Sequence, residues 1–314
     1  MANVGLLPNE LDDCSGGKFL TFVVPASGGC DLKCKFCIIR QRGESGGRYL
    51  RPRDLLRFIG EAARAGRIFG LAVQGHEPLL PESIPFTRAI LSIGQLLGVK
   101  TSIITNGTHL RKNAELLRLL KPTQLGVSLD SASSSLHDEL RGRSGAWGAT
   151  VDGIRYLKAI FPPNSNIAVA SVMLPTNKGC LEDMPALLRE LGINYWIVNP
   201  LVQIKKHAHV IKSDSLSEIL VKIQMAADFQ GVRLIVDDEL DLLKQNPAWT
   251  EAARVAKVRV RTLPSNVEIF RLSPSGQCSF GKDILKPIAS HTLMWRPGQE
   301  HTADFLKRVA KAAS

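Results

Sequence analysis

Three of the six cysteines in this 314-residue chain fall within eight positions, as Cys30, Cys34 and Cys37 in the order C-x3-C-x2-C. Random placement would give that pattern roughly 0.002 times per chain, so the spacing is chemistry. Three thiolates on one short loop call for a metal. A closed zinc site needs four ligands, and with no nearby histidine the fourth would be borrowed from afar, from Cys14 or His76. A [4Fe-4S] cluster held by three cysteines instead leaves one iron open to an outside ligand, although the spacing is not that of ferredoxins. Cys14, Cys180 and Cys278 stand alone in sequence, which disfavours a second cluster and a disulfide scaffold.

The elements that must carry this loop follow a strand-then-helix rhythm. Apolar runs at Phe19 to Val24, Ile68 to Gln74, Lys100 to Thr105, Gln124 to Asp130, Asn166 to Leu174 and Tyr195 to Asn199 predict six strands. Helices are predicted at about Asp54 to Ala65, Pro81 to Leu97, Leu110 to Leu120, Val151 to Ile160 and Leu181 to Leu191. Continuous apolar strands alternating with amphipathic helices imply a parallel sheet with right-handed crossovers. The expected fold is α/β, a partial (β/α)6 barrel over residues 18–210, after an N-terminal segment 1–17. A smaller C-terminal α+β extension, 211–314, is expected to cover the barrel mouth or edge, with a helix at Ser215 to Phe229, strands at Val232 to Val236 and Asn266 to Leu272, and a basic final helix.

The cysteine triad, with the aromatic Phe36 directly before its third member, resembles the hallmark of the radical S-adenosylmethionine (radical SAM) superfamily. Further motifs at strand ends extend the resemblance over roughly residues 18 to 200. Gln74-Gly75-His76-Glu77-Pro78 is similar to the family's Gly-Gly-Glu-Pro, with His76 in place of the second glycine. There Glu77 and backbone carbonyls would accept from the methionine ammonium group. His76 reads either as a packed or capping residue or as a group facing substrate. Thr105-Asn106-Gly107 looks like the family's turn after the third strand, or else a plain Asn-Gly turn. Ser128-Leu129-Asp130 resembles a strand end whose polar side chains approach the ribose and the methionine carboxylate. Arg141, in His137 to Gly142, matches an arginine that pairs with that carboxylate, unless it lies on the surface beside Arg143. Val172 to Asn177 and Val198 to Leu201 end the last two barrel strands, where their apolar residues flank adenine or belong to the core and Asn177 and Asn199 are candidates for polar contacts.

The resemblance implies a [4Fe-4S] cluster on Cys30, Cys34 and Cys37, S-adenosylmethionine at its open iron, and a reducing partner such as a flavodoxin or ferredoxin. One-electron cleavage of the sulfonium would give a 5′-deoxyadenosyl radical that abstracts hydrogen from a small-molecule substrate. The subclass expected is a natural-product epimerase, with Cys278 on a glycine-flanked loop over the barrel mouth as the catalytic thiol that returns hydrogen; Cys180 competes for the role. Dehydrogenation, rearrangement and maturation of a ribosomal peptide are the alternatives.

Composition bounds the rest. Forty Lys and Arg against 29 Asp and Glu give a formal charge of +11, yet the basic residues are scattered and no nucleic-acid module is evident. An RNA-modifying enzyme is therefore a secondary reading, and a non-enzymatic iron-sulfur protein a third. No apolar run approaches the roughly 20 residues of a membrane span. The N-terminus lacks the layout of a secretory signal, so a reducing, cytoplasmic setting is expected.

Overall fold

The computed structural model describes residues 17–23, 29–37, 40, 50–162, 165–201, 213–238, 243, 247–262, 266–280 and 293–313. Its strands are β1 (Gly17–Val23), β2 (Ile68–Gln74), β3 (Lys100–Thr105), β4 (Gln124–Ser128), β5 (Ile167–Met173), β6 (Tyr195–Pro200), β7 (Arg233–Asp237), β8 (Arg259–Arg261), β9 (Val267–Leu272), β10 (Gln277–Phe280) and β11 (Leu293–Met294). Between and after them run α1 (Pro52–Arg64), α2 (Ile84–Leu97), α3 (Ala114–Leu120), α4 (Ser134–Arg141), α5 (Ala146–Ile160), α6 (Met184–Glu190), α7 (Ser213–Gln230), α8 (Pro247–Val255) and α9 (Thr302–Ala313). Among the described residues no helix is long and apolar enough to cross a membrane.

All strands share one sheet in the order β11-β10-β9-β1-β2-β3-β4-β5-β6-β7-β8. Every neighbouring pair from β9 across to β8 is parallel, and only β10 and β11 run antiparallel to their neighbours. The expected α/β architecture, an open barrel of six strand-helix units with added strands, is the one observed. The boundary near residue 210 lies outside the described residues, as do residues 1–16. The described strands after it do not form a layer over the mouth. They lengthen the sheet at both edges, β7 and β8 beyond β6, and β9 to β11 beyond β1.

The sheet is buried on both faces, so its strands have apolar residues at odd and even positions alike; all seven residues of β2 are buried. Leu20, Phe22, Leu71, Val73, Val127 and Trp196 point to the helical layer and share one core with Phe58 of α1 and Leu157 of α5. The opposite face carries Phe19, Ala72 and Ile269 at one side and Ala168, Ala170 and Ile197 at the other.

Local signals explain the shifts from the predicted bounds. The helix expected from Val151 begins five residues earlier, at Ala146, because Asp138 of α4 caps it from outside: its carboxylate accepts from Gly145 N at 2.6 Å and Trp147 N at 2.8 Å. Helix α4 itself is absent from the sequence expectation. Its eight residues, SSLHDELR, bury only His137, Leu140 and Arg141, too short a run to show an apolar period.

Candidate functional site

Parallel strands place every loop that follows a strand at the same end of the sheet, where ligands of α/β proteins bind. The cysteine loop follows β1, the Gly75 to Leu80 turn β2, the Asn106 to His109 turn β3, and the Leu129 to Ser133 segment β4. The loop is pinned at several points. Leu32 is buried, Lys33 N donates to Arg141 O at 2.9 Å, and Cys37 N to Cys34 O at 3.3 Å. Gly142, at φ 67°, lies so close that a Cβ there would sit 2.7 Å from Lys33 O.

Two polar chains converge on this loop. In the first, Glu77 is fully buried and its carboxylate accepts from Leu79 N at 2.9 Å, Thr105 Oγ1 at 2.6 Å and Asn106 N at 2.7 Å. Burial pushes its pKa up to about 7 against these three donors. Asn106 continues the chain, its Nδ2 donating to Asp31 Oδ1 at 2.7 Å and lying 3.5 Å from Cys30 Sγ. In the second, Asp130, also fully buried, accepts from Val172 N at 2.9 Å and pairs with Arg141, Oδ2 to Nε 2.6 Å. Arg141 reaches Cys34 Sγ with Nη1 at 3.8 Å and stacks on Phe36, 5.4 Å from the ring centroid. His137, one turn before Arg141, accepts from Asp130 N on Nδ1 at 3.1 Å. Burial and the Arg141 charge lower its pKa to about 4, so it is neutral.

The residues expected at the site therefore divide. Cys30, Cys34, Phe36, Glu77, Thr105, Asn106, Asp130 and Arg141 form one connected assembly, with Cys37 on the same loop. Arg141 is 3% exposed, which removes the surface alternative. Gly75 and His76 form the turn after β2, both left-handed at φ 78° and 43°, and Ser128 is buried at the end of β4. Asp130 accepts from Val172 N with one oxygen and is ion-paired with Arg141 through the other. Glu77 spends three of about four acceptor positions on Leu79, Thr105 and Asn106, bracing the strand ends and keeping one position for an ammonium group. One expectation needs correction: Cys278 is not on a loop over the mouth. It lies in β10, paired with Leu272, fully buried in the core that contains Phe58 and Trp295. That is the helix-covered face, and burial raises its thiol pKa. Cys180 is half-buried in the 3-10 turn Lys178–Asp183 that follows β5.

Sequence reasoning passed over Asp31, Thr108, His109 and Arg143. Thr108 Oγ1 donates to Asp31 Oδ2 at 2.7 Å, His109 Nε2 is 3.4 Å from the same oxygen, and Arg143 Nη1 also pairs with it. Burial works to raise the Asp31 pKa, but the His109, Thr108 and Asn106 contacts hold it well below the usual carboxylate range. A carboxylate next to the first cysteine was the available signal.

The donor set suits an anionic, thiolate-ligated cluster. Burial pushes the Cys30 thiol up to about 12 and raises that of Cys34, so a thiolate there needs positive partners or a metal. Nitrogen donors lie toward two of the three sulfurs. Arg141 Nη2, buried, has no hydrogen-bond partner among the described residues, which leaves a donor for a carboxylate. Among the described residues no group of three or more His, Cys, Asp or Glu, the three cysteines included, is gathered tightly enough to hold a single metal ion.

The sequence profile of the radical SAM superfamily matches residues 24–195. An AdoMet-dependent heme synthase of Methanosarcina barkeri is 34% identical over 166 residues, 52% of this chain and 45% of that protein. The antilisterial bacteriocin subtilosin biosynthesis protein AlbA of Bacillus subtilis is 29% identical over 179 residues, 54% of this chain and 37% of that protein. The chain thus matches less than half the length of either. Among solved structures, Streptococcus suis SuiB bound to its precursor peptide SuiA superposes with a TM-score of 0.67 at 16% identity, over 91% of this chain and 63% of that one, a likeness of fold.

Proposed function

The chain belongs to the radical SAM superfamily, and from that premise we propose that it is an enzyme that abstracts a hydrogen atom from a carbon of a bound substrate. Cys30, Cys34 and Cys37 would hold a [4Fe-4S] cluster, with S-adenosylmethionine beside it. When bound, that pair supplies one-electron cleavage of the sulfonium and a 5′-deoxyadenosyl radical. The protein's own part is positional. Asn106 and Arg141 offer N–H donors to two ligand sulfurs, Asp130 and Phe36 fix the guanidinium, and Arg141 Nη2 would be the donor left for the methionine carboxylate. Glu77 ties the β2 turn to the end of β3 so that backbone carbonyls can receive the ammonium group.

The buried, partly unpaired guanidinium of Arg141 beside Cys34 carries this reading: a cation held by Asp130 against a cluster ligand, with a donor to spare. Anaerobic reconstitution is expected to give about four irons per chain and a brown chromophore, lost when Cys30, Cys34 or Cys37 becomes Ala. Arg141→Ala is expected to weaken S-adenosylmethionine binding by about 1.5–3 kcal/mol, the worth of a hydrogen bond to a charged group. Unchanged affinity in that variant, or a colourless active protein, overturns the assignment.

We take a small molecule as the substrate and a flavodoxin or ferredoxin as reductant. Similarity to a bacteriocin biosynthesis protein supports a second reading, modification of a ribosomal peptide, at the expense of the epimerase subclass. An epimerase outcome would require a hydrogen donor other than Cys278, whose thiol faces the helical core. The +11 charge gives little support to an RNA substrate, because the basic residues that make it up are scattered along the chain and no nucleic-acid module accompanies them.

A further inference from the structure

We propose that Asn106 and Asp31 act as a positioning pair for the first cluster ligand, Asn106 donating to the Cys30 sulfur and Asp31 fixing the amide that does so, so that the pair sets the reduction potential of the cluster. The inference rests on the cluster reading above and goes beyond it, because the resemblance assigns Asn106 to S-adenosylmethionine and gives Asp31 no role.

An amide NH2 has two hydrogens. One from Asn106 Nδ2 goes to Asp31 Oδ1 at 2.7 Å, and Cys30 Sγ lies 3.5 Å from the same nitrogen, within reach of the other. The amide oxygen is taken as well, by Thr108 N at 2.9 Å. Side-chain donors and acceptors are thus spent inside the protein, and the orientation of the amide is fixed: only the nitrogen can face the sulfur. Asp31 is itself locked. Thr108 Oγ1, His109 Nε2 and Arg143 Nη1 converge on its other oxygen, two from the turn after β3 and one from the segment after α4. The backbone of Asn106 is anchored to Glu77. The cluster loop is therefore clamped to β3 through a side chain that also touches a ligand.

Hydrogen bonds to cluster sulfurs favour the reduced, more negative state and raise the potential; outer contacts of this kind orient ligands as well. Removing the donor should lower the potential. Removing the support should do so less, by letting the amide drift.

The test uses the full chain, reconstituted anaerobically with iron and sulfide and without S-adenosylmethionine, titrated with dithionite and mediators and followed by electron paramagnetic resonance. Asn106→Ala is expected to keep about four irons per chain and to titrate at a more negative potential. Thr108→Val, which touches no cysteine, should shift the same way by a smaller amount. An unchanged potential in Asn106→Ala at full iron content overturns the proposal. Should Asn106→Ala lose its iron with the circular dichroism of the apo-protein unchanged, the positioning role stands and Thr108→Val decides the tuning: an unshifted potential there overturns it. Failure of the unsubstituted chain to bind iron would be the failure of the functional reading, a separate outcome.

Discussion

Glu77 and His137 are buried ionisable groups whose environments push in opposite directions, and the sign of each can be worked out. For Glu77 the pKa rises from 4.5 to about 7 on folding, chiefly through burial, so its contribution to stability is full below pH 4.5 and is lost as pH rises through 7. For His137 it falls from 6.5 to about 4, through burial and the Arg141 charge, so its contribution is full above pH 6.5 and is lost as pH falls through 4. Between pH 4.5 and 6.5 the two slopes cancel in the apo-protein. Glu77→Gln should unmask the histidine, its stability falling by about 2–3 kcal/mol as pH drops across that window; His137→Gln should show a rise of similar size. Urea unfolding of the metal-free chain at several pH values checks this, and parallel profiles in all three proteins would reject it. Glu77 was identifiable from sequence through the resemblance of Gly75-His76-Glu77-Pro78 to the family's Gly-Gly-Glu-Pro. Its buried, bracing geometry was not, since its partners come from β3, 28 and 29 residues away.

Elements rather than single residues decide how the cluster loop is held. Helix α4 ends in Arg141, and Gly142 turns the chain away at φ 67° with its α-carbon against the carbonyl of Lys33. Gly142→Ala would impose a left-handed alanine, costing about 1–2 kcal/mol, and drive a methyl group into the loop backbone. Gly98, the left-handed cap of α2 at φ 64°, offers the control because a Cβ there meets nothing within 4 Å. Gly98→Ala is expected to pay the backbone strain alone and reconstitute normally, whereas Gly142→Ala should also lose iron; equal iron contents would show that the contact with Lys33 is immaterial. The strands were legible because continuous apolar runs such as Ile68 to Gln74 have no other use. The short polar helix α4 was not, and neither was the placement of Cys278. Turn-forming residues on its N-terminal side, Ser273 to Gly276, suggest a loop, while pairing of β10 with β9 decides the matter from elsewhere in the sheet.

At the scale of the molecule, the cluster loop depends on the last third of the chain. Strand β1, which leads into the loop, lies between β2 and β9, so one of its two neighbours comes from residues 267–272. Helix α9 secures that edge. Its Phe305, Leu306 and Val309 are buried in the same core as Phe58 and Trp295, and the Phe58 and Trp295 rings meet edge to face with centroids 5.1 Å apart. The first turn of α9 has N–H groups with no acceptor inside the helix, and for the buried Thr302 the acceptor belongs to another helix: Glu61 of α1 accepts from Thr302 N at 2.8 Å and Thr302 Oγ1 at 2.7 Å. Although burial works the other way, these bonds and Arg57 hold the Glu61 pKa down to about 2. Thr302→Val deletes one charge-assisted hydrogen bond at a buried carboxylate and should cost about 1.5–3 kcal/mol. Because β9 and β1 are paired along their length, that loss should lower the midpoint of a single urea transition rather than detach the C-terminal helix alone. Fluorescence of Trp295, isolated by replacing the other three tryptophans with Phe, should then move together with far-ultraviolet circular dichroism. Separated transitions would show instead that residues after 211 fold apart from the barrel, and that the strand beneath the cysteines is held without them.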